Sequence, residues 1–339
     1  QDIRFTSVST NNVPLQTFTW SIVQDQYGFL WFGTVDGLFR HDGYNLKTYR
    51  HDTGNPNSLS ENFIRSVYRD RSGMLWIATI SGGLDKLDPA KDTFTHYQHD
   101  PANQQSLSNN DVYCAYLESG GVLWVGPGDG LDRLDPATGS FIHYKHDARD
   151  AGSLSGSQVT TIFEDRQGNL WVGTDAGLNK LKRDTGRFSR FLHDPANPRT
   201  LGHDSVGSIL EDQSGVLWVG SEFVGGLSAL DVKSGEFMRY SFRSGQPGGQ
   251  SVAGVTDIYE DRDGVLWLGT LDTGLLKLDR ERKQVMRYAR QAGNPNGLHD
   301  NAVKTIFEDA EGVMWVGTQE GVSRFLKKQL PFVNYRHEP

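Results

Sequence analysis

The chain has 339 residues, with 34 basic and 42 acidic side chains and a net charge of −8. This balance argues against nucleic acid or an anionic membrane surface as the main partner. The single cysteine, Cys114, excludes an internal disulfide and a metal site built from several thiolates. No apolar run is long enough to span a membrane, so we expect no direct membrane contact from this part of the protein.

Seven related hexapeptides follow one another along the chain, from "GFLWFG" at Gly28 to "GVMWVG" at Gly312. Their tryptophans are Trp31, Trp76, Trp124, Trp171, Trp218, Trp267 and Trp315. Successive tryptophans are 45 to 49 residues apart, and a fixed period of this size is typical of propellers and solenoids.

The content of one repeat decides between these two architectures. Residues 66–97 divide into four β-like runs, Ser66–Asp70, Met74–Thr79, Leu84–Leu87 and Phe94–Tyr97. Turn sequences such as "DRSG" separate them. Four short strands without a helical period indicate a propeller blade. The sequence therefore predicts an all-β fold, a single seven-bladed β-propeller with four-stranded antiparallel blades over residues 1–339.

The motif tryptophans are expected to be structural. Each lies within the second strand of its blade, where a large ring fills the wedge between neighbouring blades. The flanking glycines suit turns and close approaches of the backbone. A group that recurs in every blade is core rather than a cofactor site, so we expect no cofactor.

The two ends of the chain compete to complete the seventh blade. Phe5–Val8 ("FTSV") and Phe332–Tyr335 ("FVNY") both resemble "FTHY", the fourth strand of the second repeat. A closed propeller protects its edges by joining its ends in one sheet. One of these segments should therefore pair in blade 7, and the sequence leaves open which one.

Histidine–aspartate pairs recur in register and are interpreted as linker chemistry. They are His51-Asp52, His99-Asp100, His146-Asp147 and His193-Asp194, each just after the fourth strand of its blade. His96 and His143 have no metal-ligand spacing with a third partner, and His41-Asp42 falls in a turn. The sequence contains no nucleophile elbow, phosphate loop or calcium loop. We therefore predict no catalytic residue and no metal.

The informative positions are those at which the repeats differ. Five residues before the acid that ends each first strand stand Trp20, Arg65, Tyr113, Thr160, Gly207, Thr256 and Lys304. Two residues further on, all seven repeats carry an apolar residue, which indicates packing. Because the first strand of a blade is innermost, the variable ring should lie near the mouth of the central channel.

Four members of this ring are candidate ligand-binding residues, namely Trp20, Arg65, Tyr113 and Lys304. Aromatic faces beside a guanidinium and an ammonium suit a sugar ring with hydroxyls or carboxylates. A channel filled by water and polar side chains is the alternative. The longer loop "SEFVGGL" (Ser221–Leu227) adds Phe223 as a fifth candidate at the rim.

The repeat "VTTIFEDRQGNLWVGTDAGLNKL" (Val159–Leu181) and the linkers "HDPANQQSLSNNDV" and "HDTGNPNSLSENFI" resemble the two-component regulator propeller family. The resemblance covers nearly the whole chain. It implies the extracytoplasmic, periplasmic sensing part of a membrane receptor, whose cytoplasmic part is usually a histidine kinase and whose inputs are often oligosaccharides. The final "RHEP" resembles the start of another linker, so we expect this propeller to be part of a longer receptor. The family supplies no universal binding residues.

These observations predict a non-catalytic ligand-sensing domain for an oligosaccharide or another small polar ligand, acidic ligands included. Binding would favour one arrangement of a receptor homodimer through the difference in affinity between two arrangements. Two alternatives stay open. One is a propeller enzyme similar to streptogramin lyase, and the other is a scaffold for protein–protein interaction.

Overall fold

The computed structural model describes residues 3–10, 13–240, 254–282, 284–294 and 296–327. These residues form strands, turns and loops. No helix capable of crossing a membrane occurs within these ranges.

The strands fall into blades of four, preceded by a short entry segment. The entry segment contains β1 (Thr6–Ser7), β2 (Ser9–Thr10) and β3 (Val13–Pro14). Blade 1 consists of β4 (Thr19–Gln24), β5 (Leu30–Thr34), β6 (Gly37–His41) and β7 (Leu46–Tyr49). Blade 2 consists of β8 (Ile64–Arg69), β9 (Leu75–Thr79), β10 (Gly83–Asp88) and β11 (Thr93–Tyr97). Blade 3 consists of β12 (Val112–Leu117), β13 (Leu123–Pro127), β14 (Leu131–Leu134) and β15 (Phe141–Tyr144).

The remaining blades repeat this order. Blade 4 consists of β16 (Val159–Glu164), β17 (Leu170–Thr174), β18 (Gly177–Lys182) and β19 (Arg187–Phe191). Blade 5 consists of β20 (Val206–Glu211), β21 (Leu217–Ser221), β22 (Leu227–Asp231) and β23 (Glu236–Tyr240). Blade 6 consists of β24 (Val255–Glu260), β25 (Leu266–Thr270), β26 (Leu275–Leu278) and β27 (Val285–Tyr288). Blade 7 contains β28 (Val303–Glu308), β29 (Val313–Thr318) and β30 (Gly321–Leu326).

Each blade is an antiparallel sheet whose strands pair in sequence order. The first strands of successive blades contact one another around a closed circle, and β28 returns to contact β4. The innermost position therefore belongs to the first strand of each blade. The predicted all-β, seven-bladed propeller is confirmed.

The N-terminal segment closes the circle. Strand β1 pairs antiparallel with β30, with Thr6 opposite Arg324 and Ser7 opposite Ser323. Phe5 and Val8 on either side of β1 are buried, which anchors the joined sheet in the core. Of the two segments that the sequence offered, Phe5–Val8 thus completes blade 7, and Phe332–Tyr335 lies outside the described residues.

The seven motif tryptophans are buried, as predicted, with between 0 and 5% of their surface exposed. Each indole N–H donates to the side chain of the acid that ends the first strand of its blade, at 2.7–2.9 Å. These acceptors are Asp25, Asp70, Glu118, Asp165, Asp212, Asp261 and Asp309. The other oxygen of Asp70 accepts the backbone N–H groups of Ser72 and Met74. One carboxylate therefore fixes the turn and satisfies the buried ring.

The second glycine of the motif allows neighbouring blades to approach closely. A Cβ added to Gly173 would lie 2.6 Å from Val206 of the next blade and 2.7 Å from Thr161. Real Cβ atoms do not come this close to such neighbours. The glycine therefore keeps the seam between blades 4 and 5 tight.

The linker histidines have the structural role expected of them. In each of the four linkers the histidine Nδ1 lies 2.7–2.8 Å from the backbone oxygen of a leucine eight residues later. His41 Nδ1 accepts the N–H of Gly43 and Asp42 accepts the N–H groups of the same hairpin turn. These pairs stabilise loops.

Candidate functional site at the central channel

A β-bulge occurs at the same place in every innermost strand. In blade 1 the register passes from Thr19 opposite Thr34 to Ser21 opposite Gly33, which leaves Trp20 as the extra residue. The equivalent residues in the other blades are Arg65, Tyr113, Thr160, Gly207, Thr256 and Lys304. A bulge re-aims a side chain and releases it from the ladder. All seven variable residues line one cavity of about 210 Å³, which is bounded by the first strands of all seven blades.

Trp20 gathers two cations at this cavity. The Arg65 guanidinium carbon lies 4.0 Å from the centroid of the Trp20 ring, and Lys304 Nζ lies 5.1 Å from it. Phe18 and Phe63 also lie against the indole, with centroid separations of 4.5 and 6.5 Å. The ring of Trp20 is therefore already engaged by protein groups. Stacking of a sugar on Trp20 stays a prediction, and it requires one of these neighbours to move.

The two cations have no acceptor within the described part of the chain. The ring of Trp20 is the main contact of both, and neither forms an ion pair or a hydrogen bond there. Loss of hydration lowers the pKa of Arg65 and of Lys304, and the charge of Arg65 lowers that of Lys304 further. A guanidinium offers five N–H donors. Here they are left for solvent or a ligand.

Glu222 is the counter-charge at this site, and the sequence comparison missed it. It lines the cavity from the loop between β21 and β22. Its charge opposes the pKa lowering of Arg65 and of Lys304, although no ion pair joins it to either in the described part of the chain. Gly207 leaves room beside this residue, because a Cβ there would lie 3.2 Å from the Cβ of Glu222, which is tighter than most real contacts. The exceptional glycine in the variable ring was the available clue.

The other two predicted residues differ in their relation to the cavity. Tyr113 lines it, and loss of hydration raises the pKa of its phenol. Phe223 is 54% exposed on the loop that carries Glu222, and it is not among the cavity-lining residues. The structure thus brings Trp20, Arg65, Tyr113 and Lys304 together around one cavity. The ligand-binding role of all five candidates stays a prediction.

The variable residues of blades 4 and 6 serve the fold. The Thr160 hydroxyl donates to the backbone oxygen of Val206, and the Thr256 hydroxyl donates to that of Val303, each at 2.6 Å. Both bonds join one blade to the next. These hydroxyls have therefore spent their single donor within the protein.

Asp257 is a second cavity-lining acid that the sequence comparison missed. Its carboxylate accepts the backbone N–H of Ile258 at 2.9 Å and that of Ile306 in the next blade at 2.7 Å. Asp257 lines the channel cavity, and loss of hydration raises its pKa to about 7. The equivalent residues in the other blades are Ser21, Ser66, Cys114, Thr161, Ser208 and Thr305. Comparison of the repeats one position further along would have found this acid.

Two features outside the channel also bring charged groups together. His96 and His143 each bond a buried acid, Asp85 and Asp132 respectively, and a backbone oxygen. A larger depression of about 1350 Å³ lies between blades 5 and 6. The guanidinium of Arg282 crosses it to reach carboxylates of both blades. Both features are built from groups that already satisfy one another, and no cluster of three metal-ligating side chains occurs among the described residues.

The fold and the site define a closed seven-bladed propeller whose channel presents unpaired cations. Six segments of the chain match the family model of the two component regulator propeller, over residues 12–36, 58–81, 153–176, 200–223, 249–272 and 297–320. Six of the seven blades therefore contain a segment that matches the repeat of the two-component regulator propeller family, and the resemblance that the motifs predicted is confirmed.

Solved structures extend this comparison. The extracellular domain of BT3049 of B. thetaiotaomicron, named as a hybrid two component system, is 27% identical, with a TM-score of 0.79 over 96% of this chain and 42% of that one. The extracellular domain of BT4673 from the same organism is 21% identical, with a TM-score of 0.76 over 95% of this chain and 40% of that one. The chain thus spans about two fifths of these domains.

A virginiamycin B lyase from Staphylococcus aureus, solved as a catalytically inactive variant with quinupristin, shares the fold over its whole length. It is 14% identical, with a TM-score of 0.70 over 96% of this chain and 100% of that one. At this identity, as for BT4673, the likeness concerns the fold alone. No curated protein sequence matches the chain.

Proposed function

We propose that this propeller is a non-catalytic, ligand-sensing domain in the extracytoplasmic part of a two-component-type receptor, and that it binds a small polar ligand, an oligosaccharide, at the channel. The observation that carries the proposal is the set of unpaired groups around one cavity. Arg65 and Lys304 are partly buried cations without acceptors among the described residues, and Glu222 lines the same cavity. Polar groups that converge in this way without satisfying one another are typical of binding sites.

The comparisons support the receptor context. BT3049 is named as a hybrid two component system, and the region that matches this chain lies in its extracellular domain. A periplasmic location, a cytoplasmic histidine kinase and a homodimeric receptor follow from that context as parts of the proposal. Ligand binding would change the output only to the extent that the ligand prefers one arrangement of the receptor over another.

A propeller lyase is the second candidate, favoured by the match in fold over the full length of the S. aureus enzyme. Asp257 lines this channel and has its pKa raised to about 7. Its two oxygens already accept backbone N–H groups, one of them in the next blade. A carboxylate that fastens two strands together is poorly placed to exchange protons with a substrate, so we favour binding over catalysis.

The test is titration of the protein against a panel of oligosaccharides, followed by repetition with Arg65→Ala and Trp20→Ala. Loss of a charge-assisted hydrogen bond from Arg65 should cost about 1.5–3 kcal/mol of affinity, which is more than about tenfold in Kd. Arg40→Ala is the matched control, because Arg40 also lies over a tryptophan, Trp31, but does not line the cavity. A ligand whose affinity is unchanged by both channel substitutions would place the site elsewhere.

A further inference from the structure

Two partly buried arginines elsewhere in the chain show how the fold can satisfy such a group. The Arg190 guanidinium donates to backbone oxygens of Asp150, Ser153 and Leu154. Arg239 likewise donates to several oxygens of the preceding linker. Arg65 and Lys304 have aromatic contacts only in the described structure. Within the described residues, these two cations thus lack the oxygen acceptors that Arg190 and Arg239 have.

Trp20 brings the two cations together against their mutual repulsion. Both lie near one ring, and the negative face of an indole attracts cations more strongly when water is excluded. Loss of hydration lowers the pKa of Lys304, and the nearby charge of Arg65 lowers it further. An anion between them would remove this penalty for both at once.

Glu222 supplies only part of that compensation. Its charge acts on Arg65, Lys304 and Tyr113, yet no contact of ion-pair length joins it to any of them in the described part of the protein. An incoming anion would therefore gain the direct contacts that Glu222 does not make. It would also be repelled by Glu222, which makes this residue an internal competitor.

The size of the cavity limits what can enter. About 210 Å³ is below the 300–1,000 Å³ that is typical of sites for drug-sized ligands. One ring-sized unit fits a space of this kind, and a longer chain would have to extend out of the channel. The group that meets the cations is therefore carried by the terminal unit of the ligand.

We propose that the channel site recognises an anionic group, a carboxylate, sulfate or phosphate, on the terminal unit of its ligand. Arg65 and Lys304 bind this group, Trp20 is a positioning residue that holds both cations, and Glu222 weakens binding in proportion to its charge. This inference rests on the proposed function, because it names the class of ligand that the same site takes. A guanidinium can meet two oxygens of one such group at once, which gives the selectivity for anions its geometric basis.

The experiment compares glucuronate with glucose, which differ in one carboxylate, and adds inorganic sulfate and phosphate as anions without a sugar. Binding is measured by calorimetric titration of the whole chain at constant ionic strength. We expect glucuronate to bind at least about tenfold more tightly than glucose. Arg65→Met should abolish this preference, and Trp20→Leu should reduce it without weakening the binding of glucose. Arg40→Met, the matched arginine over Trp31, should leave it unchanged.

Glu222→Gln provides the sharpest outcome, because it should tighten the binding of glucuronate and leave that of glucose as it was. A structural role for Glu222 predicts the opposite or no change. Sulfate or phosphate that competes with glucuronate would show that the anionic group alone is recognised, and a lack of competition would tie recognition to the carboxylate of a sugar.

Equal affinities for glucose and glucuronate, both dependent on Arg65, would overturn this inference and leave the proposed function standing. If none of the anions binds at up to about 10 mM, the anion site is wrong as well. An oligosaccharide from the panel whose affinity is unchanged by substitution of Arg65 and of Trp20 would instead overturn the proposed function.

Discussion

The same β-bulge positions a packing residue in some blades and a cavity-lining residue in others. In blades 4 and 6 the bulged residues Thr160 and Thr256 turn their hydroxyls to the next blade and fasten the circle. In blades 7, 1, 2 and 3 the bulged residues are Lys304, Trp20, Arg65 and Tyr113, and these line the cavity without hydrogen-bonding to described residues. Blade 5 contributes Gly207, which clears the space for Glu222.

A β-bulge by itself does not determine whether its side chain stabilises the fold or lines the cavity. The backbone is the same in all seven blades, since the register shift recurs at each of them. A short hydroxyl side chain reaches the neighbouring carbonyl and is consumed by the fold. A long cationic side chain or a large aromatic ring extends past that carbonyl and lines the cavity. The length and chemistry of the bulged side chain therefore decide whether a blade contributes a bond between blades or a cavity-lining group.

The largest expected effect separates the tryptophans of the core from the tryptophan of the channel. Trp171→Ala in blade 4 should lower the free energy of unfolding by about 3–5 kcal/mol, because Trp171 is 1% exposed and bonded to Asp165. Trp20→Ala should cost less, since this ring is half-buried at the cavity. Denaturant unfolding of both variants makes the measurement. An equal loss for Trp20→Ala would mean that Trp20 belongs to the core.

Smaller changes in the free energy of unfolding, opposite in sign, should distinguish the packing residues from the cavity-lining residues. Thr160→Val removes the bond to Val206 and should lower the free energy of unfolding by about 1 kcal/mol. Arg65→Met removes a partly buried cation that has no acceptor among the described residues, so it should leave the free energy of unfolding unchanged or raise it. Thr256→Val is the control for Thr160→Val and should lower the free energy of unfolding by a similar amount. Destabilisation by Arg65→Met comparable to that of Thr160→Val would contradict this division.

An effect confined to the pH dependence of stability concerns Asp257, the one acid at its position among the seven blades. Its pKa is raised from 3.8 to about 7 in the folded protein. The folded state therefore binds the proton more tightly than the unfolded state, and the stabilisation present below about pH 4 is lost as the pH rises to about 7. Asp257→Asn should remove this dependence. In urea unfolding between about pH 4 and pH 7, the free energy of unfolding of the variant should rise relative to that of the parent protein as the pH rises. If the difference between the two free energies stays constant, the raised pKa is refuted.

The repeats determined most of the fold by themselves. A period near 47 residues with four strand-like runs leaves few architectures other than a seven-bladed propeller, because each blade must bury its faces against the next. The buried tryptophans and the linker histidines could be assigned for the same reason. Whatever recurs in every blade reflects a contact that recurs in every blade, and such contacts are local or lie between adjacent repeats.

Only the tertiary structure decided the features that occur once. Phe5–Val8 closes blade 7 because it meets β30 across the circle, more than 300 residues away in sequence. Arg65 lies over Trp20 because a bulge turns both toward the axis, and Glu222 joins them from a loop of blade 5. The sequence identified Trp20, Arg65, Tyr113 and Lys304 as members of one ring. It could not show which faces were covered or which charges stayed unpaired, because these depend on distances across the channel that no repeat pattern encodes.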